Sequence, residues 1–117
     1  MAAIKRLLPG VRMSGVVIHN GVVYLKGQVG GLEGDVKVQA KKTLEEIEGL
    51  LKEAGTDKNH MLSATVFLSD IRNFAAFNEV WDAWVPKDHM PARACVQAPL
   101  YHPDCLCEVS VIAACAE

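Results

Sequence analysis

The chain has 117 residues and a mass of 12.7 kDa; half of its residues are apolar, so one domain with a single core is expected over residues 1–117. Twelve basic against fourteen acidic side chains give a net charge of −2 and a pI near 6.1, which leaves no basic surplus for a nucleic-acid face. No apolar run approaches the roughly 18 residues that span a bilayer, and Met1 to Leu8 lacks the apolar stretch of a signal peptide, so no membrane partner and a cytoplasmic location are expected.

The first third reads as strands. Ser14 to His19 and Val22 to Lys26 flank Asn20-Gly21, the preferred pair for a two-residue type I′ turn, and so predict a hairpin. A further strand is expected at Ile4 to Leu7. Gly27 to Gly34 contains four glycines and reads as a loop or bulge, with no phosphate-binding pattern in it. From Asp35 the period becomes helical: Val36, Ala40, Leu44, Ile47, Leu51 and Ala54 form one apolar stripe, with Lys41, Glu45, Glu48 and Lys52 opposite. Asp35 suits the N-cap of that helix, and Gly55 suits its stop.

Met61 to Leu68 is an apolar, β-branched run and reads as a strand. Phe74, Phe77, Asn78, Trp81 and Trp84 give a second helical stripe, stopped near Pro86, whose aromatics are assigned to the core. Ala92 to Gln97 and Leu106 to Ala114 read as the last two strands, with Pro99 and Pro103 breaking the chain between them. This order predicts an α+β sheet layered by two helices. The strands at Met61–Leu68 and Val109–Ala114 are apolar on both alternating faces, whereas two helices cover one face. The other face then needs a partner, and a homo-oligomer is expected. A lysine at Val111 is expected to dissociate or unfold that assembly.

Cys95, Cys105, Cys107 and Cys115 all lie in the last quarter of the chain, within apolar sequence. A disulfide scaffold would spread its cysteines, and a zinc site would need further ligands at suitable spacing, so free thiols and no metal are expected. Two charged residues stand out against apolar strands. Arg93, in Pro91-Ala-Arg-Ala-Cys95, has no acidic residue within four positions. Its planar fork calls either for a structural carboxylate or for an anionic ligand. Glu108 sits inside the last strand, where a carboxylate is expensive to bury unless paired or protonated. It is either the partner of Arg93 or a general base. Cys95, two residues from Arg93, is either an activated nucleophile or an inert strand cysteine. Lys26 reads most simply as a solvated lysine at a strand end, and no His is set in a nucleophile motif.

Taken in order, Gly27-Gln28-Val29, Ala54-Gly55, Val66-Phe-Leu-Ser-Asp70, Phe74-Ala-Ala-Phe-Asn78, Pro91-Ala-Arg-Ala-Cys-Val-Gln97 and Glu108 resemble the reactive-intermediate deaminase (RidA/YjgF) family across nearly the whole chain. The resemblance implies a chorismate-mutase-like α+β fold, with a mixed sheet and two helices on one face. It also implies assembly as a homotrimer with active sites between subunits. The implied activity is hydrolysis of reactive 2-imino or enamine acids, such as 2-iminobutanoate and 2-iminopropanoate, to 2-oxo acids and ammonia, with no cofactor. On the family pattern Arg93 holds the substrate carboxylate, Glu108 activates water, and Gly27 and the Cys95 main chain line the site. Asn78 is another commonly shared position.

Two positions depart from the family pattern. Met13 stands where many members place a tyrosine that reaches the pocket, and Lys26 stands where many carry Ser or Ala. Alternation from Val22 places Lys26 on the face of Val22 and Tyr24, beside Gly27. There it would either add a second cation for dicarboxylate imines or turn to solvent. A carboxylate-binding regulatory trimer without turnover is the alternative reading. A ribonuclease, a label some relatives carry, is disfavoured by the acidic charge balance.

Overall fold

The protein is described over residues 3–116 by a computed structural model. Strand β1 (Lys5–Pro9) pairs antiparallel with β2 (Ser14–His19), which turns into β3 (Val22–Leu25). Asn20 and Gly21 both take positive φ, 52° and 77°, the backbone that a type I′ turn demands. The N-terminal strand lies slightly later than Ile4 to Leu7, and β3 ends one residue before Lys26.

Helix α1 (Val36–Glu53) begins where the Asp35 carboxylate accepts from the Val38 N–H at 3.0 Å. It stops at Ala54, followed by Gly55 at φ 80°. Strand β4 (Met61–Leu68) leads into α2 (Phe74–Trp84), which ends as Val85 turns extended before Pro86. Strands β5 (Ala92–Gln97) and β6 (Cys107–Ala114) close the chain.

The six strands form one sheet in the order β1-β2-β3-β6-β4-β5, in which only β4 and β5 run parallel. Period-two alternation decides what the sheet covers. Met61, Ala64, Val66 and Leu68 of β4 and Cys107, Val109, Val111 and Ala113 of β6 are buried, under the Leu44, Ile47 and Leu51 side of α1 and Phe77 and Trp81 of α2. Each such Val or Leu contributes about 1.5–3 kcal/mol on burial, so this one face holds most of the stability. The alternate residues, among them Val17, Tyr24, Phe67 and Ile112, lie on the other face, half-buried or exposed.

The apolar stripe of α1 contains two residues that its pattern did not announce. Gln39 and Thr43 are as buried as Leu44 and Ile47. No helix among the described residues is long and apolar enough to cross a membrane.

Candidate functional site

Arg93 is the second residue of β5 and lies level with Ala64 of β4, so it points to the helix-covered side. There its guanidinium meets α2. Nη2 donates to Asn78 Oδ1 at 2.8 Å, and Cζ lies 5.0 Å from the Trp81 ring centre, 5.9 Å from Phe74 and 6.0 Å from Phe77. Spacing explains the cage: Phe74, Phe77, Asn78 and Trp81 fall at i, i+3, i+4 and i+7, one face of a helix. The rings hold the cation through their π faces. No carboxylate pairs with Arg93 among the described residues, and its Nη1 is buried without a hydrogen-bond partner. A buried, unused donor on a permanent cation is costly, and an anionic ligand relieves that cost. The structural-ion-pair alternative for Arg93 therefore has no partner among the described residues.

Cys95 follows on the same side of β5, level with Val66. Burial pushes its thiol pKa up, and the positive charge of Arg93 offsets only part of that. This is the condition of an inert thiol rather than an activated nucleophile. The four cysteines are free, and burial raises Cys105 and Cys107 as well, the latter to about 11.

Glu108 lies level with Phe67, on the sheet face that no helix covers. Arg93 and Glu108 of one chain are thus on opposite faces, and the two do not meet. What Glu108 does meet is Gly27. The backbone of Gly27 approaches so closely that a side-chain Cβ there would collide with Oε2 of Glu108. A side chain at position 27 would push the Glu108 carboxylate away from this contact.

Gly27 reaches this place through a slip in register. Tyr24 is level with Ile112, yet Gln28 bridges Val109, so four steps on one strand span three on the other. This one-residue bulge breaks the alternation from which Lys26 was placed on the face of Val22 and Tyr24. Lys26 is exposed and borders a shallow groove with Leu8, Gln28, Glu46, Leu50 and Glu53. Met13 lies in the turn between β1 and β2, 58% exposed, with its main-chain oxygen accepting from Gly10 N–H at 2.8 Å.

Two groups thus form within one chain: Arg93 with Asn78 and Cys95, and Glu108 with Gly27. The aromatic walls around Arg93 were assigned to the core alone. Phe77 and Trp81 are indeed buried, but Phe74 is 43% exposed and stands at the rim. The fall of Asn78 within that aromatic stripe was the available signal. A concavity of about 660 Å³ lies elsewhere, between α1 and α2, lined by Lys37, Leu44, Glu48, Glu79 and Trp84 among others.

Known proteins resemble this chain over nearly its whole length. The family described as Endoribonuclease L-PSP matches residues 3–115. The RutC family protein YoaB of Escherichia coli (strain K12) is 41% identical over 111 residues, covering 95% of this chain and 97% of its own. The 2-iminobutanoate/2-iminopropanoate deaminase of Salmonella typhimurium is 30% identical over 114 residues, covering 96% and 89%. Among solved structures, a member of the YjgF protein family from Neisseria meningitidis superposes with a TM-score of 0.96 at 36% identity, covering 98% of this chain and 97% of that one. Sheet order, helix placement and matched sequence agree, and the chain belongs to the L-PSP endoribonuclease family, the RidA/YjgF-like family of the sequence resemblance.

Proposed function

We propose that the protein hydrolyses reactive 2-imino acids of the 2-iminobutanoate and 2-iminopropanoate class to 2-oxo acids and ammonia. The observation that carries this reading is the Arg93 guanidinium, caged by aromatics, with no carboxylate partner and one buried amino group left unbound. Its fork matches a 2-imino carboxylate through parallel charge-assisted hydrogen bonds.

In the proposed reaction Arg93 holds the carboxylate and fixes the adjacent C=N bond near Glu108. The Glu108 carboxylate takes a proton from water as the water oxygen bonds to the imine carbon, and the imine nitrogen is protonated. The resulting carbinolamine collapses, losing ammonia and leaving the 2-oxo acid. Gly27 leaves room beside the Glu108 carboxylate for the reacting centre.

Because Arg93 and Glu108 of one chain face opposite ways, this reaction requires two copies of the chain. The bare sheet face of one, bearing Glu108 and Gly27, is set against the β5 edge and α2 of another. A homotrimer with sites between subunits satisfies this and also covers the apolar residues Val17, Phe67 and Ile112. The name of the deaminase relative supports the same chemistry.

The test is release of ammonia and 2-oxo acid from imines generated in situ by an amino-acid oxidase, above the rate of spontaneous hydrolysis. Binding of a 2-oxo acid with no acceleration would replace the enzyme reading by a carboxylate-binding regulatory one.

A further inference from the structure

A buried side-chain amide is an expensive way to fill a core position. Gln39 occupies such a position, 1% exposed on the apolar stripe of α1. A leucine or methionine would fill the same space without desolvating a polar group. The amide is instead used almost completely. Nε2 donates to the Asp104 carbonyl at 2.9 Å and to the Gly34 carbonyl at 3.3 Å, and Oε1 accepts from the Leu106 N–H at 2.9 Å.

One turn later Thr43 repeats the pattern. Its hydroxyl donates to the Gln39 carbonyl at 2.7 Å and accepts from the Gly30 N–H at 2.9 Å. Gly30 lies so close to α1 that a Cβ would strike the backbone of Thr43 and Gln39.

These bonds reach two loops far apart in the chain. One runs through Gly30 and Gly34, just after Gly27. The other runs through Asp104 and Leu106, just before Glu108. The two are also tied directly: Gln28 N–H donates to Val109 O at 2.8 Å, and Val109 N–H donates to Gln28 O at 3.0 Å. Gly27 and Glu108 are the residues immediately before this bridge on each strand. Their contact is therefore clamped by the ladder and, on the other side of the sheet, by a pair of polar side chains on α1.

We infer that Gln39, with Thr43, is a positioning residue for Glu108: it holds the two loops so that the Glu108 carboxylate stays against Gly27, in line with the substrate. This rests on the deaminase reading for its kinetic expression but not for its geometry. The hydrogen bonds of the Gln39 side chain all go to Gly34, Asp104 and Leu106 and not to the groups around Arg93, so it acts on the water-activating half of the site and leaves carboxylate binding alone.

The experiment compares wild type, Gln39→Met and Gln39→Glu. Methionine keeps the volume and loses all three hydrogen bonds. A protonated glutamate keeps the acceptor for Leu106 and one donor, and so serves as partial rescue. Two readouts are taken on each: kcat and KM for an imine, and the ¹³C signal of the Glu108 side-chain carboxyl in selectively labelled protein. Gln39→Met is expected to lower kcat about tenfold or more with KM changed less than twofold, and to shift or broaden the Glu108 signal. Gln39→Glu should fall between it and wild type on both.

An unchanged kcat and Glu108 signal in folded Gln39→Met would overturn the inference, as would a loss expressed only in KM. If wild type itself releases no ammonia, the deaminase reading fails, and the Glu108 signal alone decides the positioning role. If Gln39→Met does not fold, Gln39→Glu and Thr43→Val carry the same comparison, and wild-type values in both would overturn it.

Discussion

Cys107 and Glu108 are neighbours in β6, yet they belong to different worlds. Cys107 turns to the side covered by α1, is 1% exposed, and has its thiol pKa pushed up to about 11 by burial. Glu108 turns to the side that no helix covers and rests against Gly27. The same contrast runs along the sheet: the covered face carries packing and the Arg93 cage, and the bare face carries a carboxylate among apolar residues that no helix among the described residues covers. A single β-strand thus supplies the stability of one chain with half of its residues, and with the other half presents the face at which the proposed assembly would meet a second copy. Residues adjacent in sequence say little about a shared role until their face is known.

The largest expected effect comes from putting the same charge on each face in turn. Val111 is fully buried on the covered side, whereas Ile112, next to it, is half-buried on the bare side. A lysine at Val111 buries an unpartnered ammonium in the core, and Val111→Lys should lose about 4 kcal/mol or more and fail to fold at 37 °C. Val111 therefore reports on the core and not on the assembly. Ile112→Lys should keep its thermal transition in the monomer while light scattering falls from three times the 12.7 kDa chain mass to one. A folded, trimeric Ile112→Lys would remove the bare face from the proposed interface.

Next in size is the Arg93 cage. Arg93→Ala removes the cation that faces Asn78 and Trp81, and loss of a desolvated charge-assisted contact costs about 2–5 kcal/mol, more than tenfold in turnover. Arg93→Lys should recover little, because a point charge does not reproduce the fork. Circular dichroism and light scattering check that both variants stay folded and assembled. Wild-type turnover in Arg93→Ala would end the carboxylate-clamp assignment.

A smaller effect separates the faces by pH. The native Cys107 thiol holds its proton more tightly than the unfolded thiol, whose pKa is near 9. The stability this contributes is complete below pH 9 and is lost as pH rises through about 11, on the order of 2–3 kcal/mol. Cys95 and Cys105 shift in the same direction. Unfolding free energy measured in denaturant should therefore fall between pH 9 and 11, and Cys107→Ala should flatten most of that slope. An equal slope in Cys107→Ala would mean that the covered face does not shield this thiol.

Much of this was legible in the sequence because local physics dictates it. Asn20-Gly21 specified the hairpin through two positive φ values, Asp35 and Gly55 bracketed α1, and β4, β5 and α2 lie where their periods predicted. Arg93 and Glu108 stood out because charges in apolar strands need a reason. The faces were harder. That Arg93 and Glu108 point apart depends on the parallel register of β5 with β4 and the antiparallel register of β6, which are long-range facts. Gln39 and Thr43 are hard to find in the sequence because a polar residue on an apolar helical stripe looks like a gap in the pattern, and the loops they tie down lie as far as 67 residues away.

The smallest expected effect concerns Lys26, where one inserted residue changes the geometry. Simple alternation sets its ammonium beside Tyr24 on the bare face, near Gly27, where it would favour imines with two carboxylates. The bulge between Tyr24 and Gln28 interrupts that alternation, and the groove that Lys26 borders is lined by Glu46 and Glu53 of α1. Two carboxylates there offer the lysine a counter-charge, and an exposed lysine stem costs little to leave in water. Lys26→Ser should therefore change kcat/KM for mono- and dicarboxylate imines by the same factor, within about twofold, since an exposed pair contributes well under 1 kcal/mol. A selective tenfold loss on the dicarboxylate, equivalent to about 1.4 kcal/mol, would instead place its ammonium at the Gly27 side of the strand and in contact with substrate.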